Sequence, residues 1–176
     1  MEKQKNKYYI PEDCEEMTEK YKIDKGGICG QACISVIEKI SIEEVLDNWS
    51  GLNMEFKGWS GWKQLKEYLE ARNHDVKLKR MNNLGMFNPN YYYILRVQWL
   101  GGNEDKKEKP FYGYNHWSEA SAHTHFIVVH NGKFFCNEDG WLDINKLEDY
   151  LGDKKIEGGI QLGGVITSTM RVIKGW

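Results

Sequence analysis

The chain has 176 residues, long enough for one compact domain and short for two. Its apolar share of 40% and charged share of 28% are those of an ordinary globular protein, which excludes a disordered tail or a fibre. A net charge of −2 argues against a nucleic-acid binder, and no apolar run approaches the ~20 residues that a membrane-spanning helix needs.

The opening MEKQKNKYYIPED lacks the apolar segment of a secretory signal, so a cytoplasmic location is expected. A short helix is expected around Pro11 to Tyr21. GGICGQACISVIEKI then reads as a Gly-Gly turn opening a helix from about Cys29 to Lys39, with Ile34, Ile37 and Ile40 among its apolar positions. Ser41 and Glu44 form a capping-box pattern for a second helix ending near Trp49. Ser60 is expected to cap a third, GWKQLKEYLEAR, with Trp62, Leu65, Tyr68 and Leu69 turned inward and Asn73 as its stop.

Beyond Asn73 the period changes to two. VKLKR from Val76 and the run from Tyr91 to Leu100 read as strands. GGNEDKKEKP, a charged loop without an apolar anchor, is expected to be the most mobile segment. THFIVV and KFFCNE flank His130-Asn131-Gly132, and Asn-Gly between apolar runs is the strongest short hairpin signal. Asp143 is expected to cap a short helix, INKLEDYL, and Gly-rich turns lead to a final strand from about Val165 to Ile173. Helices over about residues 1–75 followed by antiparallel strands over about 76–176 make a single α+β domain spanning 1–176.

Four cysteines, Cys14, Cys29, Cys33 and Cys136, are expected to be free thiols in a reducing compartment. Cys29 and Cys33 with Cys14 or Cys136, or with His123 and His125, would make a zinc set, but the spacing fits no finger or ribbon; no metal and no cofactor are expected. Cys29 stands apart because two glycines precede it and a helix begins at it, and a helix N-terminus stabilises a thiolate. Gly30 and Ala32 are small enough for another element to approach the sulfur. Cys33, one turn on, reads as core.

A nucleophilic thiol needs an imidazole to take its proton and a third group to hold the ring. His74 reads as solvated after the third helix, His116 as a loop residue and His130 as an exposed turn residue. His123 and His125 head the strand Phe126–Val129, and His125 is the better placed. A strict two-residue turn sets His125 opposite Glu138; a bulged turn sets it opposite Asp139 with Asn137 diagonal. Asn137, Glu138 and Asp139 are therefore the candidate orienting groups. Trp141 is a candidate shield for that hydrogen bond, and equally an ordinary core residue.

GGICGQACISVI resembles the nucleophile segment of papain-like cysteine peptidases, above all the bacteriocin-leader-processing (double-glycine) peptidases and their stand-alone relatives. HFIVVHNGKFFCNEDGW resembles their second segment: His, an apolar strand, a turn, a second strand, then Asp or Asn. The resemblance implies a papain-like fold in which Cys29 faces His125, with Asn137 as the orienting residue and Asp139 as second choice. It implies cleavage of a peptide or isopeptide bond in a peptide or protein substrate through a thioester, with acyl transfer by the same route. A catalytically weak module that binds a peptide or partner protein is the alternative. The family's Gln upstream of the nucleophile is replaced at Ile23, beside Lys22 and Asp24, so the oxyanion donors expected are the Cys29 backbone N–H and Gln31 or Gln98. Trp59, Trp62, Trp117 and Trp141 are candidates to line a cleft, and HWSEASAH (116–123) to wall it. Oligomeric state has no signal in the sequence.

Overall fold

The helices and strands of the computed structural model follow the change of period at Asn73. It describes residues 7–21, 27–56, 60–79, 87–101, 124–152, 154–156 and 159–175, with backbone alone at 99–101, 154–156 and 159–162. Four helices come first: α1 (Cys14–Tyr21), α2 (Cys29–Glu38), α3 (Ile42–Gly51) and α4 (Trp62–Ala71). The strands are β1 (Asp75–Lys79), β2 (Tyr92–Gly101), β3 (Thr124–His130), β4 (Lys133–Cys136) and β5 (Gly140–Asp143), then, after a 3-10 turn at Ile144–Lys146 and α5 (Leu147–Leu151), β6 (Lys154–Ile156) and β7 (Gly159–Ile173). All pair antiparallel in one sheet of order β1-β7-β2-β3-β4-β5, and β6 folds back on β7. This is an α+β architecture.

Period-two alternation gives the sheet two apolar faces. One carries Ile94, Phe126, Val128, Phe135, Met170 and Val172 and packs against α1 to α4. The other carries Leu95, Val97, Ile127, Val129, Phe134 and Cys136, with Leu147 and Tyr150 of α5 packed over it. Helix α2 is buried from Gly30 to Glu38, so its Cys29 end is held by packing all round.

Local chemistry explains the boundaries. Ser41 Oγ accepts the Glu44 N–H at 3.1 Å, as the capping pattern predicts. The Asp13 carboxylate, a partner no local pattern shows, accepts the Ile42 and Glu43 N–H groups at 2.9 and 2.8 Å. Asn73 ends α4 at φ 65°, and Asn131-Gly132 form a two-residue turn at φ 47° and 78° that pairs His130 with Lys133 and Val129 with Phe134. Ser60 does not cap α4. Gly61 is the N-cap, its N–H bonded to Gln64 Oε1, and Ser60 Oγ instead packs against Gly30. Asp143 precedes the 3-10 turn without a side-chain cap and pairs with Lys133 at 3.7 Å. Strands β5 and β6 are additions to the sequence reading, and β7 starts before Val165.

Two histidines read as solvated are buried. His74 is 4% exposed, 3.1 Å from Glu38 through Nε2, while its Nδ1 accepts the Gly175 N–H. Arg72 grips the same Glu38 carboxylate from α4, so this cluster ties the ends of α2 and α4 to the C-terminal tail. His130 is 8% exposed, stacks on Tyr92 and donates from Nδ1 to the Tyr91 carbonyl. Cross-strand pairing at Tyr92–His130 brings the two rings together. The charged loop after Gly101, and His116, His123, Trp59, Trp117 and the 116–123 stretch, lie outside the described residues.

Candidate active site

Cys29 is the first residue of α2. Gly27 turns the chain into the helix at φ 96°, and the N-cap residue Ile28 offers no side-chain cap, so Cys29 stands at the positive end of the helix. Gly30 lies under a close approach: a Cβ there would run into Ser60 Oγ and lie 3.1 Å from Leu65 Cδ2, so both side-chain ends would have to shift. The smallness of this residue, noted in the sequence, lets the segment leading into α4 press against the nucleophile turn.

The sheet supplies the partner. The β3–β4 ladder runs from His130↔Lys133 to Val128↔Phe135. Where β4 turns away, the head of β3 meets α2. There the Phe126 backbone N–H and the His125 side chain both hydrogen-bond the Cys29 sulfur. Burial would raise the thiol pKa. The His125 charge and hydrogen bond, with the Phe126 N–H, outweigh that, and the Cys29 pKa lies below its ordinary value. Cys29 keeps intermediate exposure, whereas Cys14, Cys33 and Cys136 are buried. Burial, then the neighbouring thiols, push Cys33 well above its ordinary value, as a core thiol should be. Only Cys29 combines access with a lowered pKa among the four.

The third position departs from expectation. His125 Nε2 lies 3.2 Å from the Cys136 sulfur. Asn137 is engaged with α1: its Nδ2 donates to Thr18 Oγ1 at 3.1 Å, and its carbonyl accepts from Cys14 Sγ and Thr18 Oγ1. Asp139 and Glu138 are exposed. A β4 running straight past Cys136 would set residues 137–139 opposite the head of β3; instead they turn, with Gly140 at φ 74° starting β5. The Glu138 and Asp139 N–H groups thereby fold back onto the Cys136 sulfur, which Tyr150 Oη also meets at 3.4 Å. Cys136 and Tyr150, which the sequence did not single out for this place, are what the structure sets beside His125. Their only signal was Cys136 lying on the His125 face of a strict two-residue hairpin.

The tryptophans divide. Trp62 sits edge-on to Phe126 at 4.9 Å and donates to Ser168 Oγ, close behind the β3 head. Trp141 packs on Tyr8 and Phe135 and donates to the Tyr9 carbonyl, so it pins the N-terminal segment and does not shield His125. Gln98 is 1% exposed on β2 opposite Thr124, next to the Val97↔His125 pair. Gln31 is fully buried, and neither amide atom has a hydrogen bond among the described residues. A surface cavity of about 540 Å³ between α1 and the β4–β5 turn, lined by Glu12, Glu15, Glu19, Asn137 and Glu138, is separate from Cys29 and His125 among its described lining. No group of three His, Cys, Asp or Glu suited to a metal, and no helix long and apolar enough to cross a membrane, occurs among the described residues. Comparison with known protein families, curated proteins and solved structures finds no match to this chain.

Proposed function

We propose that the chain is a thiol-dependent hydrolase of the papain-like kind, cleaving a peptide or isopeptide bond in a peptide or protein substrate. The observation that carries this is the meeting of Cys29 and His125: a partly exposed thiol of lowered pKa at a helix N-terminus, hydrogen-bonded by an imidazole from a strand. The chain order of the two motifs and the α+β architecture support it.

In this reading the Cys29 thiolate attacks the amide carbonyl carbon, and the oxyanion is met by the Cys29 N–H in the first turn of α2. Gln98 suits the second donor better than Gln31, since its strand position adjoins the pair holding His125. Imidazolium His125 gives its proton to the leaving amine as the C–N bond breaks, and a thioester remains. The same ring then takes a proton from water, whose oxygen attacks the thioester and releases the acid and the Cys29 thiolate. An amine in place of that water gives acyl transfer by the same steps.

Digestion of a peptide library, with Cys29→Ala as control, tests the reading. Cleavage by the native chain and none by the variant is expected. No cleavage by either, with Cys29 alkylating at pH 6 no faster than a free thiol of pKa ~8.5, would overturn it. Fast alkylation without cleavage would mark the peptide-binding alternative.

A further inference from the structure

We propose that Cys136, held by Tyr150, is the positioning residue for the His125 imidazole, taking the place that the sequence motif suggested for an amide or carboxylate. The proposal deepens the thiol-hydrolase reading and rests on it. Nε2 of His125 stands 3.2 Å from the Cys136 sulfur, and that sulfur is reached from two further directions, by Tyr150 Oη of α5 and by the Glu138 and Asp139 backbone N–H groups of the turn after β4. Sulfur is a weak acceptor, and a core thiol is ordinarily a small apolar filler with little call on donors. Here the donors converge on one atom at the end of a strand, which fixes where it lies relative to the ring.

The consequence is a choice of tautomer. With its hydrogen on Nε2 and directed at Cys136, the neutral ring keeps Nδ1 as the base for the Cys29 thiol. The surroundings explain why sulfur suits this place. Cys136 is 1% exposed among Ile127, Val129, Phe134 and Leu147, where a carboxylate would be expensive to bury and a thiol is not. Burial holds the Cys136 pKa above its ordinary value, and burial with the Cys136 contact raises that of Tyr150, so both stay protonated while Cys29 ionises. Among the described residues the titratable groups facing this cluster are Cys29 and Cys33 of α2, Cys14 of α1, His125 of β3, Tyr150 of α5, and Glu138 and Asp139 of the turn.

The test is the pH profile of Cys29 alkylation by iodoacetamide, mapped by mass spectrometry to Cys29, with kcat and KM on any peptide the native chain cleaves. Cys136→Ala removes the acceptor. Its Cys29 midpoint should rise by about one pKa unit, roughly tenfold slower labelling below the midpoint, and kcat should fall while KM holds. Cys136→Ser should recover part of both losses, and Tyr150→Phe, which keeps the ring against Phe134 and removes only the hydroxyl, should move the midpoint the same way by less. Should Cys136→Ala not fold, the serine and Tyr150→Phe variants decide alone. A folded Cys136→Ala or Tyr150→Phe with the native profile would overturn the proposal and leave the hydrolase reading standing; a native Cys29 that titrates as an ordinary thiol would overturn both.

Discussion

Gly30 shows how one residue type can be read before its reason is visible. Between Cys29 and a buried Gln31, a Cβ would fit only if the Ser60 and Leu65 side chains that lie against it gave way. Gly30→Ala should therefore lower stability, by up to about 1–3 kcal/mol to the extent that the Ser60 and Leu65 side chains are held in place, measured by urea denaturation. An unchanged midpoint would show that the segment before α4 yields freely. Cys29 was legible for the same local reasons: its glycines, its place at a helix start and its small neighbours all lie within a few positions. Cys136 was not. Its place beside His125 depends on where β4 stops, and a Cys between Phe135 and Asn137 has no local mark that sets it apart from an ordinary core residue. His74 and His130 were misread as solvated because each is buried by partners far along the chain, Glu38 and Gly175 for one and Tyr92 for the other.

At the scale of elements, helix starts and the hairpin turn were written in short patterns, and long-range caps were not. Ser41 caps α3 as its spacing indicates, yet Asp13 caps the same helix from beyond α2. Asp13→Ala should cost about 1–2 kcal/mol by freeing two first-turn N–H groups and removing a carboxylate from the helix N-terminus. A urea midpoint equal to that of the native chain would contradict this. Asn131-Gly132 set the β3–β4 register, since their left-handed dihedrals close a two-residue turn. That register placed Ile127 and Cys136 on one face correctly. The extension of β4 to Asn137 failed because residues 137–139 turn back into β5, closed by Gly140 at φ 74°; the Asp139-Gly140 pair is itself a hairpin signal, and reading the segment as more strand passed over it.

Across the whole molecule, the order of helices then antiparallel strands was legible from the change of period, while the sheet order was not, because β7 enters between β1 and β2 from the far end of the chain. Two buried histidine clusters hold these distant parts. Glu38→Ala would strand Arg72 and His74 without their shared carboxylate, and should cost about 3 kcal/mol, less whatever Arg72 recovers from water at its partly exposed end. A loss below about 1 kcal/mol in denaturant would refute the cluster's role. Burial lowers the His130 pKa, against a smaller upward pull from the Tyr91 carbonyl. A folded value below the unfolded ~6.5 means that the stabilisation is complete above 6.5 and is lost as the pH falls through the folded pKa. Thermal stability should therefore drop between pH 7 and pH 5 more steeply in the native chain than in His130→Gln; equal slopes would contradict it.

The pairing of thiol and imidazole is what the functional account depends on, and the pH dependence of Cys29 alkylation in the native chain and in His125→Ala tests it most directly. The account predicts a native midpoint below the ~8.5 of a free thiol and a higher midpoint in the variant, where burial acts without the imidazole. Identical profiles for the two proteins, or a native midpoint at or above that of a free thiol, would contradict it.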